Sequence, residues 1–155
     1  MVRLKVAGGK ISEMETMVTR TQKEGGLFAL DGLQSPNKEM ADAPAPSLRA
    51  SREEAIRLAE FYPAGLKIGS FITVDAPFAA DAYRLENGVH TAGPGCSRAG
   101  CENIKTQRII QHPGITTRVA AVDEEEGIVL LRMIFGETNS YGPANALVVW
   151  EAFKV

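Results

Sequence analysis

Five side chains of the kinds that move protons or stabilise negative charge lie within eight consecutive positions of this chain. They are Tyr83, Arg84, Glu86, Asn87 and His90. An arginine supplies a fixed positive charge for a phenolate, enolate or carboxylate, and a histidine can transfer a proton near neutral pH. The segment therefore predicts acid–base chemistry on an organic molecule that carries oxygen.

Within this segment we expect His90 to move the proton, and Arg84, Tyr83 and Glu86 to complete a catalytic set. Side chains two apart on a strand share a face, so Arg84 and Glu86 are expected on one side of the strand. Leu85 favours the odd positions as those that face the core. The alternative is that Arg84 and Glu86 form an exposed ion pair of no chemical importance.

Four further side chains are predicted to bind the substrate. Two are the tyrosines Tyr62 and Tyr141, whose phenols can donate a hydrogen bond to a developing oxyanion. The others are Asn87 and Trp150. The alternative for the aromatic residues is packing, either at the rim of a pocket or in the core.

The sequence offers little to hold a metal ion or a cofactor. His90 and His112 are the only histidines, and neither has a metal-ligand spacing to another histidine or cysteine. Cys96 and Cys101 lie in a glycine-rich loop, where a disulfide, two free thiols and a thiolate metal site are all compatible with the spacing, and free thiols are favoured in a reducing compartment. A glycine-rich phosphate loop, a serine elbow and a paired-thiol redox motif are all absent from the sequence, so phosphoryl transfer, serine hydrolysis and nicotinamide chemistry are disfavoured.

Composition indicates one globular domain, because 155 residues with 45% hydrophobic and 23% charged residues are typical of a chain that folds around a single core. The net charge of -2 disfavours nucleic acid and anionic membranes as partners. The sequence lacks both an apolar run of roughly 18 residues and the apolar core of a secretory signal. We therefore expect a cytoplasmic protein that does not bind membranes.

The predicted elements divide the chain 1–155 into a hairpin (1–20), a connector (21–49) and a helix with the main sheet (50–155). Ser51 and Glu54 form a capping box that starts the helix, and Pro63 is expected to end it near Tyr62. The strands are predicted at Tyr83–Thr91 with a bend at Gly88, and at Thr116–Val122, Ile128–Phe135 and Ala146–Val155. This order predicts an α+β fold with a mainly antiparallel sheet.

The two ends of the chain share a pattern, because Arg3–Val6 is similar to Ala152–Val155. Either the chain is a piece of a tandem repeat, or its terminal strands are circularly shifted. We favour the shift, which predicts that Lys10–Val18 lies beside Ala146–Val155 in one sheet.

Several short motifs, taken in order, resemble a known family. They are Arg84–Gly88, Val122–Gly127, Phe153–Val155 and Arg3–Val6 followed by Gly9–Ile11 and Glu13–Glu15. In order and spacing they resemble a poorly characterised family of the SnoaL-like, nuclear-transport-factor-two-like superfamily. The resemblance implies a cone formed by a curved antiparallel sheet, closed by helices around an internal apolar pocket, and it implies a homodimer.

Members of that superfamily include isomerases, dehydratases and lyases that work without cofactors, and some bacterial relatives remove formaldehyde from lignin-derived diaryl compounds. The resemblance therefore implies a cofactor-independent lyase or isomerase that acts on a small hydrophobic aromatic molecule. The alternative is a noncatalytic module of the same fold, which binds a small ligand or a second copy of itself.

Overall fold

The computed structural model describes residues 1–18, 27–29, 31–35, 37–136 and 147–155. The strands in this part of the chain form two small hairpins and one three-stranded sheet, all antiparallel, beside one long helix. The α+β class is therefore confirmed. In chain order the elements are β1 (Val2–Ala7), β2 (Lys10–Thr16), α1 (Lys38–Ala41), α2 (Arg52–Ile68), β3 (Arg84–Glu86), β4 (Val89–Ala92), β5 (Thr116–Asp123), β6 (Ile128–Phe135) and β7 (Leu147–Lys154), with single 3-10 turns at Asp31–Leu33 and Pro46–Leu48.

Helix α2 begins where the sequence predicts and ends later. The Ser51 hydroxyl accepts a hydrogen bond from the Glu54 amide, at 3.3 Å. The predicted end near Tyr62 is wrong, because the helix continues through Pro63 to Gly69, whose φ of 77° is the left-handed geometry that closes helices. Proline removes a single backbone donor, and burial of its ring on the apolar face of the helix offsets that loss.

The core lies between α2 and the three-stranded sheet, whose order is β5-β6-β7. Side chains of β6 alternate strictly, so one face of the strand is buried and the other is half-buried. The buried face of β6 consists of Val129, Leu131, Met133 and Phe135, and it packs with the buried helix residues Ala55, Ala59 and Leu66.

The segment 83–91 forms a hairpin instead of the single bent strand that the sequence predicts. Asn87 and Gly88 have φ values of 49° and 86°, the left-handed pair that suits a two-residue turn. Strands β3 and β4 then pair with Leu85 opposite His90. The register shifts between Arg84 and Leu85, which leaves Thr91 as an extra residue in β4.

The predicted pairing of Lys10–Val18 with Ala146–Val155 is wrong for the strands that the structure describes. Strand β2 pairs with β1, and β7 pairs with β6. The hairpin is attached to the main sheet by side chains, since Arg3 Nε donates to the Ala120 carbonyl of β5 at 2.8 Å, and Arg118 pairs with Glu15. The hairpin therefore contacts the main sheet through charged side chains, and not through the backbone hydrogen bonds that the sequence predicts.

The described part of the connector is fastened to the β3–β4 turn. The Ala29 amide donates to the Asn87 carbonyl at 2.9 Å. The Gly32 and Gly88 backbones are in contact, and a Cβ on Gly32 would collide with the Gly88 carbonyl. In the described ranges, no helix is long and apolar enough to cross a membrane.

Phe71 packs directly on the backbone of α2 at Gly65, where a Cβ would overlap the phenyl ring. We expect Gly65→Ala to lower the free energy of unfolding by about 1–2 kcal/mol, because overpacking of about 1–3 kcal/mol exceeds the helix propensity that alanine gains. Urea denaturation measures this change. Glu60→Ala, at an exposed position of the same helix, serves as the control, and a net stabilisation by Gly65→Ala would contradict the contact.

Candidate functional site

Three polar side chains from three different elements meet in the interior, and we call them the Tyr62–Arg84–Glu151 cluster. Tyr62 lies on α2 and is 6% exposed, Arg84 lies on β3 with a side chain that is 15% exposed, and Glu151 lies half-buried on β7. Buried ionisable groups of this kind are uncommon unless they pair with one another.

The Arg84 guanidinium is held by hydrogen bonds in several directions. Its Nη1 donates to the Tyr62 hydroxyl at 3.0 Å, and its Nε donates to the Thr91 hydroxyl at 2.9 Å. Glu86 forms an ion pair with Nε at 3.0 Å. Burial lowers the pKa of Arg84, but its interactions with the Tyr62 hydroxyl and with the carboxyl groups of Glu86 and Glu151 outweigh burial and raise the pKa, so the group stays a cation.

Tyr62 connects the cation to the carboxyl group. Because a guanidinium only donates, the Tyr62 oxygen accepts from Arg84, and its own proton is left for the hydrogen bond to Glu151. Burial raises the pKa of Tyr62, and the negative charge of Glu151 raises it further. Tyr62 is therefore a protonated phenol that is fixed as a hydrogen-bond donor.

Glu151 has an unusual pKa for a carboxyl group. Burial raises the pKa of Glu151 from 4.5 to about 7, although the charge of Arg84 and the hydrogen bond from Tyr62 act in the opposite direction. At neutral pH both the acid and the carboxylate are populated. A carboxyl group in this state is suited to general acid–base catalysis.

Aromatic rings hold the phenol in place. The Phe71 ring stacks on Tyr62 with centroids 5.1 Å apart, and the Phe153 ring is tilted against it at 5.3 Å. These contacts restrict the Tyr62 side chain to the orientation that reaches both Arg84 and Glu151.

Thr91 is fully buried beside the cluster, and its hydroxyl accepts a hydrogen bond from Arg84. Its carbonyl accepts a hydrogen bond from Arg98 Nη2 at 3.2 Å. Arg98 lies in the loop that the Cys96–Cys101 disulfide closes. The cysteine pair is thus bonded, and the bonded loop contacts the strand that carries Thr91.

The structure divides the predicted catalytic set between two faces of the β3–β4 hairpin. Arg84 and Glu86 lie on the same face of the hairpin, as expected. That face meets Tyr62, so Arg84 reaches the interior, whereas the sequence favours the odd-numbered positions as those that face the core. Tyr83 and His90 lie together elsewhere, with ring centroids 5.6 Å apart. His90 is exposed, and the Tyr83 hydroxyl donates to Glu39 at 3.1 Å.

The predicted substrate-binding residues are also dispersed. Tyr62 joins the cluster, whereas Asn87 occupies the exposed β3–β4 turn. Trp150 lies on the opposite face of β7 from Glu151, where it lines an open cavity of about 440 Å³ with Arg132 and residues 15–18 of the hairpin. Tyr141 falls outside the described residues.

Sequence reasoning missed Glu151 and Thr91. Glu151 has a recognisable signal, since it occupies the inward position between Val149 and Phe153 on an alternating strand, where an apolar residue is expected. Thr91 contacts Arg84 through the irregular register of β4, and no residue pattern in the sequence predicts that irregularity. Across the residues that the structure describes, no three histidine, cysteine, aspartate or glutamate side chains group closely enough to hold a metal ion.

Comparison with known proteins places the chain in a family. A family model described as Domain of unknown function (DUF8021) matches residues 48–155, which include α2 and all of the cluster, so the chain belongs to this family. No curated protein matches the chain. No solved structure matches it either.

The raised pKa of Glu151 predicts a pH-dependent stability. The folded state binds this proton more tightly than the unfolded state, so the contribution is complete below pH 4.5 and is lost as the pH rises through about 7. We expect the free energy of unfolding to fall across this window by at most about 3 kcal/mol.

Glu151→Gln removes the titrating group, so this component of the pH dependence disappears in the variant. Urea denaturation at a series of pH values measures it. Glu60→Gln, an exposed carboxyl on α2, keeps the wild-type slope. The same slope in wild type and Glu151→Gln would show that Glu151 is not the group responsible.

Proposed function

We propose that this member of the DUF8021 family is a cofactor-independent acid–base enzyme, a lyase or isomerase that acts on a small hydrophobic aromatic molecule. The observation that carries the proposal is the Tyr62–Arg84–Glu151 cluster, in which a half-buried carboxyl group with a pKa raised to about 7 lies beside a fixed cation and a fixed phenol donor. Glu151 supplies the proton acceptor. Arg84 stabilises a developing oxyanion, and so does the Tyr62 hydroxyl, which no longer needs to donate to Glu151 once Glu151 has taken up the substrate proton.

In the proposed reaction the Glu151 carboxylate removes a proton from the substrate. For an isomerase the proton leaves a carbon beside a carbonyl, the electron pair moves onto the carbonyl oxygen, and the proton returns at another carbon. For a lyase the proton leaves a hydroxymethyl oxygen, the adjacent carbon–carbon bond breaks, formaldehyde departs, the electron pair moves through the conjugated system onto a carbonyl oxygen, and the proton returns to carbon. In both cases Arg84 and Tyr62 stabilise the negative oxygen.

An aromatic substrate is supported by the surroundings of the cluster. Phe71 and Phe153 flank the Tyr62 ring, and Phe78 packs edge-on against Phe71 at 5.1 Å. Rings of this kind favour offset or edge-on contacts with another ring. A lignin-derived diaryl compound that loses formaldehyde is one substrate of this class, and its choice rests on the resemblance to the SnoaL-like superfamily.

The cone with an internal pocket is part of the same proposal. It is supported by the antiparallel three-stranded sheet, by α2 packed across the buried face of that sheet, and by the inward position of Glu151. Glu86 has a side chain that is 47% exposed and touches Arg84, so the proposed route from solvent to the cluster passes Glu86.

Solvent deuterium exchange tests the function before the substrate has been identified. The protein is incubated in heavy water with a panel of aryl ketones and of diaryl compounds that carry a hydroxymethyl group, and mass spectrometry follows incorporated deuterium, isomerised product and released formaldehyde. We expect Glu151→Gln to reduce turnover by about 100-fold or more and Tyr62→Phe by a smaller factor. The value of kcat/KM should rise with pH to a plateau above about 7, because the carboxylate is the base.

Two further variants make the assignment decisive. Glu60→Gln changes an exposed carboxyl on α2 and should keep full activity. His90→Ala tests the base that the sequence favours, and loss of activity in this variant with full activity in Glu151→Gln would overturn the assignment. A compound that binds and is always recovered unchanged would support the noncatalytic alternative.

The Cys96–Cys101 disulfide bears on the predicted cytoplasmic location. Disulfides persist in oxidising compartments, whereas a reducing cytoplasm keeps such pairs as thiols. The disulfide therefore supports an oxidising compartment over the cytoplasm. Alkylation of the protein in its native source before lysis should leave both cysteines unmodified, and mass spectrometry that finds both alkylated would restore the cytoplasmic location.

A further inference from the structure

The β1–β2 hairpin turns its apolar side chains to solvent, in contrast to the usual arrangement. Val2 is 57% exposed and Leu4 49%, while Val6 and Ile11 are each 63% exposed and Met14 is 68% exposed. In the register of the hairpin Leu4 lies opposite Met14 and Val6 lies opposite Ile11, so these side chains share one face. We call this set, with Val18 just beyond the end of β2, the apolar hairpin face.

The charged face of the hairpin is the one that contacts the rest of the protein. Arg3 Nη1 pairs with Glu13 at 2.9 Å within the hairpin, and its Nε reaches the main sheet. Glu15 lies among Arg118 of β5 and Arg132 of β6, whose Nε is 3.9 Å away. The contacts of the partly buried Arg3 and Glu15 side chains fix which face of the hairpin points outward, so the apolar face is exposed because of a specific attachment.

We propose that the apolar hairpin face is the contact surface for a second copy of this chain. In the proposed dimer the two hairpins pack face to face about a two-fold axis, at the spacing of about 10 Å that two packed sheets adopt. Each copy then covers the other's Leu4 and Met14, and the charged faces of both hairpins remain on their own sheets.

The composition of the face supports a second copy over a different partner. Its strand positions are apolar apart from Thr16, so it offers no charge with which to select a charged partner. A flat apolar surface is complementary to itself, which is the requirement for a two-fold contact. A two-stranded hairpin is also only marginally stable when its apolar face is not covered. A second copy of the same chain is always available to cover it.

The exposed area is close to what a stable dimer requires. Six side chains at roughly 100 Å² each present about 600 Å² per copy, compared with the ~800 Å² that each partner contributes to a standard interface. The neighbouring edge of β7 can extend the contact, since Leu147 is 38% exposed and Val148 is 36% exposed. Val148 and Val18 line the same open cavity.

This surface lies outside the part of the chain that the family model matches. The family match starts at residue 48, whereas the hairpin ends at Thr16. The proposed contact therefore uses residues outside the family match.

Sedimentation velocity over a range of micromolar concentrations tests the proposal. We expect the wild-type chain to be a dimer and the double variant Leu4→Glu, Met14→Glu to be a monomer, because four carboxylates would face one another across the axis. The single variant Met14→Lys, at an exposed position, serves if the double variant fails to fold, as judged by circular dichroism. It should weaken the dimer at least tenfold.

Leu48→Glu is the matched control, since Leu48 is 76% exposed and lies outside the hairpin. It introduces one carboxylate, the substitution that the double variant makes at Leu4, and should leave the dimer intact. A monomeric wild-type chain, or a dimer that persists in a folded Met14→Lys variant, would overturn the proposal. A wild-type monomer that binds neutral phosphatidylcholine vesicles through this face would overturn it too, in favour of a lipid surface.

Discussion

The burial of the Arg84 guanidinium is the constraint around which the interior is arranged. A desolvated cation is costly unless its donors are satisfied and negative charge lies close by. Thr91, Tyr62, Glu86 and Glu151 meet these needs from four places in the chain. Folding that left any one of these elements in a different position would leave a charge or a polar group uncompensated, so the cluster helps to define how β3, α2 and β7 come together.

The same constraint explains why α2 continues past a proline. Tyr62 immediately precedes Pro63, and its phenol reaches Arg84 only because the helix backbone keeps its course through this position. Gly65 in the next turn admits the Phe71 ring, which in turn stacks on Tyr62. Two residues that weaken an isolated helix therefore occur where the helix is best supported by its neighbours.

Local patterns in the sequence predict much of the fold and two of the three residues of the cluster. The capping box at Ser51, the strands β5 to β7, and the candidates Arg84 and Tyr62 follow from short-range rules. The raised pKa of Glu151 cannot be predicted from the sequence, because it depends on burial by residues that are distant in the chain. His90 and Trp150 were favoured for their chemistry, but a turn at Asn87 and the alternation of β7 place them on other faces.

The contact between Gly32 and Gly88 has a consequence for how the chain can diverge. Where two backbones touch, neither position admits a side chain, and the Ala29 amide adds a hydrogen bond across the same junction. The connector is therefore attached through Ala29 and Gly32 to the β3–β4 turn, next to the strand that carries Arg84. Insertions or deletions next to this attachment would displace the β3–β4 turn and with it the Arg84 guanidinium. The described connector should therefore tolerate fewer changes in length than its glycine and proline content suggests.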